Sequence, residues 1–477
     1  MNPMALHALF APIVGPTGVL LGKDAAPYEV DHRRLYQGHT PLVVRPRTTA
    51  QVAAVLRVCA AHGIAMVPHG GNTSYCGGAT PDASGTQIVI SLERLTAVRS
   101  VDPIGGTLTV EAGCTLRSVR AAAAAAGRHF PLSLGSEGSC QIGGNLSTNA
   151  GGTQVLRHGM IRELVLGLEV VLPDGQILDQ LRRLRKDNTG YDVKQLFIGA
   201  EGTLGIITAA VLRMGPAPAD SLTALVAIDG LEATLALLGR IQSAFGDLIE
   251  TFEYMPASAV ALACQHFSQI KNPFEDLHPA FVLVHLPLPS ALTGLHEAFT
   301  RFMGAEIEAC RVRDAVVAQS MAQADTFWFL RENIPAAQTR EGASLKHDVS
   351  LPLDRLAEFE RRGQMLLATL APGCRSIGYG HAGDGNLHYN VSPPVGVLPG
   401  SEEEQAFLSR KESLMRAIHD LVAELGGSFS AEHGIGQLKV SELVRYEDPV
   451  ALAVMGRIKQ ALDPQGLMNP GKVVVGR

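Results

Sequence analysis

Leu134 to Gly152 reads LGSEGSCQIGGNLSTNAGG, and its reading decides the fold. Glycine lets the backbone take positive φ and lets N–H groups come close to a bound group. Successive N–H groups offered in this way form nests that bind anions such as a pyrophosphate. A second stretch of the same character lies upstream, PHGGNTSYCGG from Pro68 to Gly78. Both lie near strand-like runs. Neither has the Gly-x-Gly-x-x-Gly spacing between a strand and a helix that a Rossmann reading needs. A third glycine-punctuated run, Phe197 to Thr208, reads FIGAEGTLGIIT.

Working outward, Thr49 to His62 predicts an amphipathic helix with Val52, Val55, Leu56 and Cys59 on one face and Gly63 as its stop. Ile64 to Pro68, Ile88 to Leu92, Thr107 to Val110 and Leu164 to Leu172 read as strands, and Thr115 to Ala126 as an alanine-rich helix. Pro173-Asp-Gly175 is a hairpin turn. Gly215 to Ala219, GPAPA, reads as a linker. Beyond it, strand runs at Leu222 to Ile228 and Phe281 to Leu286 alternate with longer helical stretches. That pattern suits an α+β domain with helices on one face of a mainly antiparallel sheet. Val450 to Leu462 is a helix, followed by the looped tail from Asp463.

The bulk numbers bound the class. The 477 residues suffice for two or three domains, with 46% hydrophobic and 18% charged residues. A net charge of −6 without a basic stripe argues against nucleic acid as a partner. Seven cysteines, Cys59, Cys76, Cys114, Cys140, Cys264, Cys310 and Cys374, form no C-x-x-C pair and fit reduced thiols. The apolar stretch Leu9 to Leu21 is broken by Pro12, Gly15, Pro16 and Gly18 and makes a poor signal peptide, and arginine is too sparse there for a transit peptide. No run approaches the roughly 18 apolar residues of a membrane span. The expectation is a cytoplasmic protein without a transmembrane segment.

Chemistry concentrates in GYGHAGDGNLHYN, Gly378 to Asn390, and in Glu432-His433 further on. Histidine and carboxylate suit zinc and similar divalent ions, and three protein ligands plus an open position make a catalytic site. The turn-forming Gly383 to Asn386 core lets the residues on either side converge. His381, His388 and Glu432 are therefore expected to hold one metal, with His433 beside it as general base.

Six motifs together carry a family resemblance: PHGGNTSYCGG at 68–78, GSCQIGGNLSTNAGG at 138–152, RKDNTGYDVKQLFIGAEGTLGIIT at 185–208, GHAGDGNLHYNV at 380–391, AEHGIGQLK at 431–439 and DPQGLMNPGK at 463–472. From about residue 35 to 477 the chain resembles the vanillyl-alcohol oxidase and para-cresol methylhydroxylase (PCMH) class, the FAD-linked 2-hydroxy-acid dehydrogenases. Within that class it leans toward the D-2-hydroxyglutarate dehydrogenases, with D-lactate dehydrogenases and glycolate oxidase flavin subunits as near relatives.

The resemblance implies a two-lobed PCMH-type FAD-binding domain over residues 1–217, an α+β substrate domain over 218–430, and a segment 431–477 returning to the FAD domain. It implies that Gly70, Gly71, Asn72, Thr73 and Gly77 hold the pyrophosphate. Gly135, Gly138, Ser139, Gly143, Thr148 and Gly151 would line the rest of the cofactor, with Gly202 and Ile207 on the adenine side and Asn469 reaching back from the tail. His69 precedes the two glycines, so non-covalent FAD is expected. The same likeness makes His381, His388 and Glu432 metal ligands, His433 the base, Arg331 and Lys346 the carboxylate binders, and Asn390 a further hydrogen bond to substrate. The implied reaction takes a D-2-hydroxy acid, D-2-hydroxyglutarate first and D-malate also, to its 2-oxo acid by hydride transfer to flavin N5. Reoxidation falls to an electron-transfer flavoprotein or a quinone, and the family implies a homodimer. A D-lactate or glycolate dehydrogenase, or the flavin subunit of a glycolate-oxidising complex, is the competing expectation.

Overall fold

The structure, a computed structural model, describes residues 2–289 and 294–474. The chain forms two compact units. One comprises Met1–Gly152, Gly159–Ala217 and Glu432–Arg477; the other comprises Thr153–His158 and Pro218–Ala431.

Two sheets organise the first unit. The smaller has the order Val19–Leu20, Val43–Val44, Ile88–Ser91, Met66–His69, with the last three strands parallel. Parallel strands need a crossover, and the Thr49–His62 helix supplies it. Its ends are set locally. The Thr48 hydroxyl accepts from Gln51 N, and Gly63, at φ 62°, returns its N–H to Cys59 O. Val52, Val55, Leu56 and Cys59 are fully buried against this sheet. The larger sheet is antiparallel, in the order Val98–Asp102, Thr107–Glu111, Ile206–Arg213, Val165–Val171, Ile177–Gln180. The Leu116–Ala125 helix buries Leu116, Val119 and Ala123 in its core. The tail is stitched in by main-chain bonds: Met66 N donates to Leu467 O and Asn469 N to Met66 O.

The second unit is built on an antiparallel sheet in the order Thr251–Pro256, Ala280–Leu288, Asp220–Ile228, Asp314–Val317. Ala224, Val226 and Ile228 face one hydrophobic core, together with Leu237, Ile241 and Phe299 of two helices. Leu225 and Ala227 face a second core with Ala259, Ala263, Phe327 and Ile334 of two others. Helices thus cover both faces, not the single face the alternation of elements led to. The strands are apolar at consecutive positions, and a strand buried on both sides reads as a continuous run. A three-stranded antiparallel sheet, Asp348–Ser350, Asn386–Ser392, Arg375–Tyr379, completes the unit. An isolated bridge between Tyr254 and Gly380 links it to the first strand of the larger sheet.

Candidate functional site

The first unit encloses a cavity of about 570 Å³ walled by its glycine-rich segments. Gly70, Gly71, Asn72, Thr73, Gly135, Ser139, Gly143, Thr148, Gly151, Gly202 and Ile207 all line it. Among the described residues, no backbone N–H from Gly70 to Ser74 donates to a protein acceptor. Backbone donors are almost always satisfied when buried, so five successive unspent ones along a cavity wall make a cradle for an anionic group. Gly71 is tightly confined, since an added Cβ would lie 2.2 Å from Ser139 O. Gly135 and Gly144 are the opposite case. Nothing lies within 4 Å of a Cβ built there, so their missing side chains leave open room in the cavity. Unpartnered N–H groups, a glycine-walled volume and the buried, unpaired Oε1 of Gln141 fit a dinucleotide such as FAD.

Gly77, Gly138 and Asn469 stand outside this lining. Gly77 O accepts from Gln437 Nε2. A Cβ on Gly138 would meet the Arg117 guanidinium at 2.8 Å. Asn469, 2% exposed, works from behind: its Nδ2 donates to Gly78 O and to Glu201 O at 2.9 and 2.8 Å. His69 lines the cavity with Nδ1 3.1 Å from Ala79 O and its ring against Tyr28. Burial holds its pKa below the usual imidazole value.

Glu432 and His433 belong to the same cavity wall. The segment carrying them is clamped by residues that sequence reasoning missed. Glu201, at φ 49°, accepts from Ile435 N at 2.7 Å and Gly436 N at 2.9 Å. Burial raises its pKa, against the pull of those two N–H groups and Lys439. Gly436 lies so close to Cys76 that a Cβ would be 2.1 Å from Cys76 O. Gln437 N donates to that same oxygen. Tyr75 meets the His433 ring edge-on, with centroids 4.7 Å apart.

The second unit gathers the remaining candidates. His388 is the cross-strand partner of Asp348 and of Tyr379. With Leu345 bridged to Val391 in the same register, side chains alternate so that Lys346, Asp348, His388 and Asn390 project from one face. Lys346 is exposed, while Asn390 is buried and gives Nδ2 to Gln338 Oε1 at 2.7 Å. His381 and His388 stand ring to ring, centroids 5.4 Å apart. Between His381 and Arg331 lies Glu253, 1% exposed, with Oε1 2.5 Å from His381 Nδ1 and Oε2 2.7 Å from Arg331 Nε. Burial opposes its ionisation, but Arg331 and His381 outweigh that and hold the carboxyl down to about 2. Burial pushes Asp384, in the turn beside His381, up to about 6. A ligating histidine commonly gives its other N–H to a carboxylate, so the His381–Glu253 pair has the chemistry of a metal ligand and its support.

Residues 217–473 match the C-terminal domain of the FAD linked oxidases, and residues 40–180 match the FAD binding domain. The chain is 35% identical over 466 residues to the mitochondrial D-2-hydroxyglutarate dehydrogenase of Arabidopsis thaliana, covering 98% of this chain and 80% of that one. It is 38% identical over 456 residues to the mitochondrial D-2-hydroxyglutarate dehydrogenase of Bos taurus, covering 95% and 80%. Among solved structures it is similar to p-cresol methylhydroxylase with substrate bound, at a TM-score of 0.77 and 14% identity, covering 99% of this chain and 97% of that one. That likeness shows the PCMH-type fold. The cytoplasmic expectation is corrected here, because these dehydrogenase relatives are mitochondrial proteins. Among the described residues no helix is long and apolar enough to cross a membrane. With the cradle, the two domain matches and relatives matched over nearly the whole chain in hand, the chain belongs to the FAD-linked oxidase family, as an FAD-dependent hydroxy-acid dehydrogenase of the D-2-hydroxyglutarate dehydrogenase type.

Proposed function

We propose that the protein oxidises D-2-hydroxyglutarate, and D-malate also, to the 2-oxo acid with non-covalently bound FAD and one divalent metal ion. The observation that carries this reading is the presence of Glu432 and His433 in the wall of the glycine-lined cavity, on a segment whose Ile435 and Gly436 N–H groups donate to Glu201. Bound FAD supplies the acceptor for the C2 hydride, and a bound cation lowers the pKa of the 2-hydroxyl.

The protein's own groups do the rest. His433 takes the hydroxyl proton, a general-base contribution of about 10²–10⁴-fold. His381, His388 and Glu432 are the ligand set. In support, Ala431, covalently next to Glu432, gives its N–H to Asp348 O, and Asp348 is the cross-strand partner of His388. Arg331 offers a planar fork to a carboxylate, Lys346 a flexible point charge, and Asn390 a hydrogen bond. Gly70 to Thr73 hold the pyrophosphate by main-chain N–H groups. His69 is bonded to Ala79 O and burial disfavours its charged form, in keeping with non-covalent FAD. The reduced enzyme passes its electrons to an electron-transfer flavoprotein or a quinone, and the working form is a homodimer.

The test is dye reduction by purified, zinc-loaded protein with D-2-hydroxyglutarate, D-malate, D-lactate and glycolate, each with and without EDTA, with metal content measured in parallel. Preference for the two diacids, lost with the metal, is the expected result. Preference for D-lactate would overturn the diacid assignment. Full activity in protein shown to be stripped of metal would overturn the metal site.

A further inference from the structure

We propose that Glu253 is a positioning residue that sets the metal ligand His381 and the carboxylate binder Arg331 together, so that one buried carboxylate couples cation binding to substrate binding. The inference rests on the metal reading above.

Glu253 occupies the middle of the Thr251–Pro256 strand, opposite Leu283, between the core residues Phe252 and Tyr254. An ion taken out of water at such a place costs several kcal/mol unless it is paired and hydrogen-bonded. Its two oxygens are divided, Oε2 accepting from Arg331 Nε and Oε1 from His381 Nδ1, from segments far apart in the sequence.

Each bond fixes something a reaction can use. An ionised carboxylate only accepts, so Nδ1 of His381 carries a proton, and the neutral ring then presents the lone pair of Nε2. That is the tautomer a cation requires, and the ring is held at a set angle. On the other side, Nε of Arg331 is committed to Glu253 while its Cζ lies 5.4 Å from the Tyr379 ring centroid. The guanidinium plane is thereby fixed, and the remaining donors have one orientation. Rotating Glu253 disturbs both partners.

The experiment uses the full-length, FAD-loaded protein and reads binding. Zinc affinity is measured by competition with a chromogenic chelator, and 2-oxoglutarate affinity by flavin absorbance at saturating zinc. Glu253→Gln keeps the shape but removes the charge and one acceptor. Its zinc dissociation constant is expected to rise about 10–100-fold, and its 2-oxoglutarate constant about tenfold. Because that change strands the Arg331 cation, the double variant Glu253→Gln/Arg331→Met is measured as well, and the same zinc loss is expected. Arg331→Met alone should keep zinc affinity within about threefold, since the His381 bond survives.

His381→Ala separates the two levels of the argument. If it loses zinc while both Glu253 variants stay within about threefold of the wild type, Glu253 has no positioning role and the metal reading stands. If His381→Ala itself binds zinc normally, the metal reading fails and this inference falls with it. Loss of zinc affinity in Glu253→Gln with 2-oxoglutarate affinity unchanged would overturn the coupling.

Discussion

Gly144 gives the sharpest test at the scale of a single residue. It lies in the short Ile142–Ser147 helix and faces the cavity with no atom within 4 Å of a built Cβ. Gly→Ala in a helix interior is worth about 1 kcal/mol of stability, so Gly144→Ala should raise the melting temperature of the cofactor-free protein. The same methyl intrudes on the cofactor, and FAD affinity should fall at least tenfold in a fluorescence titration. Ser139 leaves Gly71 no such freedom, and Gly71→Ala is expected to lose FAD and stability together. The glycine loops were legible because glycine at close spacing has few other uses. Glu201 and Glu253 were not. Each is an ordinary acid in its local run, and its meaning lies in partners 234 and 128 residues away.

Elements behave differently where their ends are set locally and where they are set at a distance. The Thr49–His62 helix could be read from the chain because its cap at Thr48 and its stop at Gly63 are neighbours in sequence. Thr153–His158 could not. It joins the second unit through Gln154 and His158, both bonded to Glu250, and through Thr153 O, which accepts from Thr251. The clamp on the 434–438 segment makes a ranking: turnover should fall from wild type through Glu201→Gln, which keeps one acceptor, to Glu201→Ala near the His433→Ala level, because small misplacements cost about 10²-fold. Glu169 ties the helix to the large sheet, accepting from Thr49, Arg99 and Thr208. Burial raises its pKa, but Arg99 and the two hydroxyls outweigh it and the net shift is downward. A depressed folded pKa adds stability above the unfolded carboxylate value near 4.3 that is lost as pH falls through the folded value. Glu169→Gln should therefore lower stability by about 1–3 kcal/mol at neutral pH, and denaturant melts in acid should bring the two proteins together.

At the scale of the molecule, composition and charge bounded the class, and six spaced motifs led to a family that relatives over nearly the full chain then showed. Compartment was not legible. The seven scattered cysteines, without a C-x-x-C pair, fit reduced thiols, and that usage does not tell one reducing compartment from another. Substrate length was equally hidden, since Arg331 and Lys346 are single cations in unremarkable runs, and one is buried while the other is exposed. The most direct test is a single anaerobic turnover of FAD-loaded, zinc-loaded protein mixed with D-2-hydroxyglutarate, followed by flavin absorbance and 2-oxoglutarate formed. The expected result is full bleaching with one equivalent of 2-oxoglutarate per flavin, no bleaching with the L-enantiomer, and a rate at least about 10²-fold lower after the metal is removed. Flavin that stays oxidised with D-2-hydroxyglutarate, or that bleaches as fast without the metal, would contradict it.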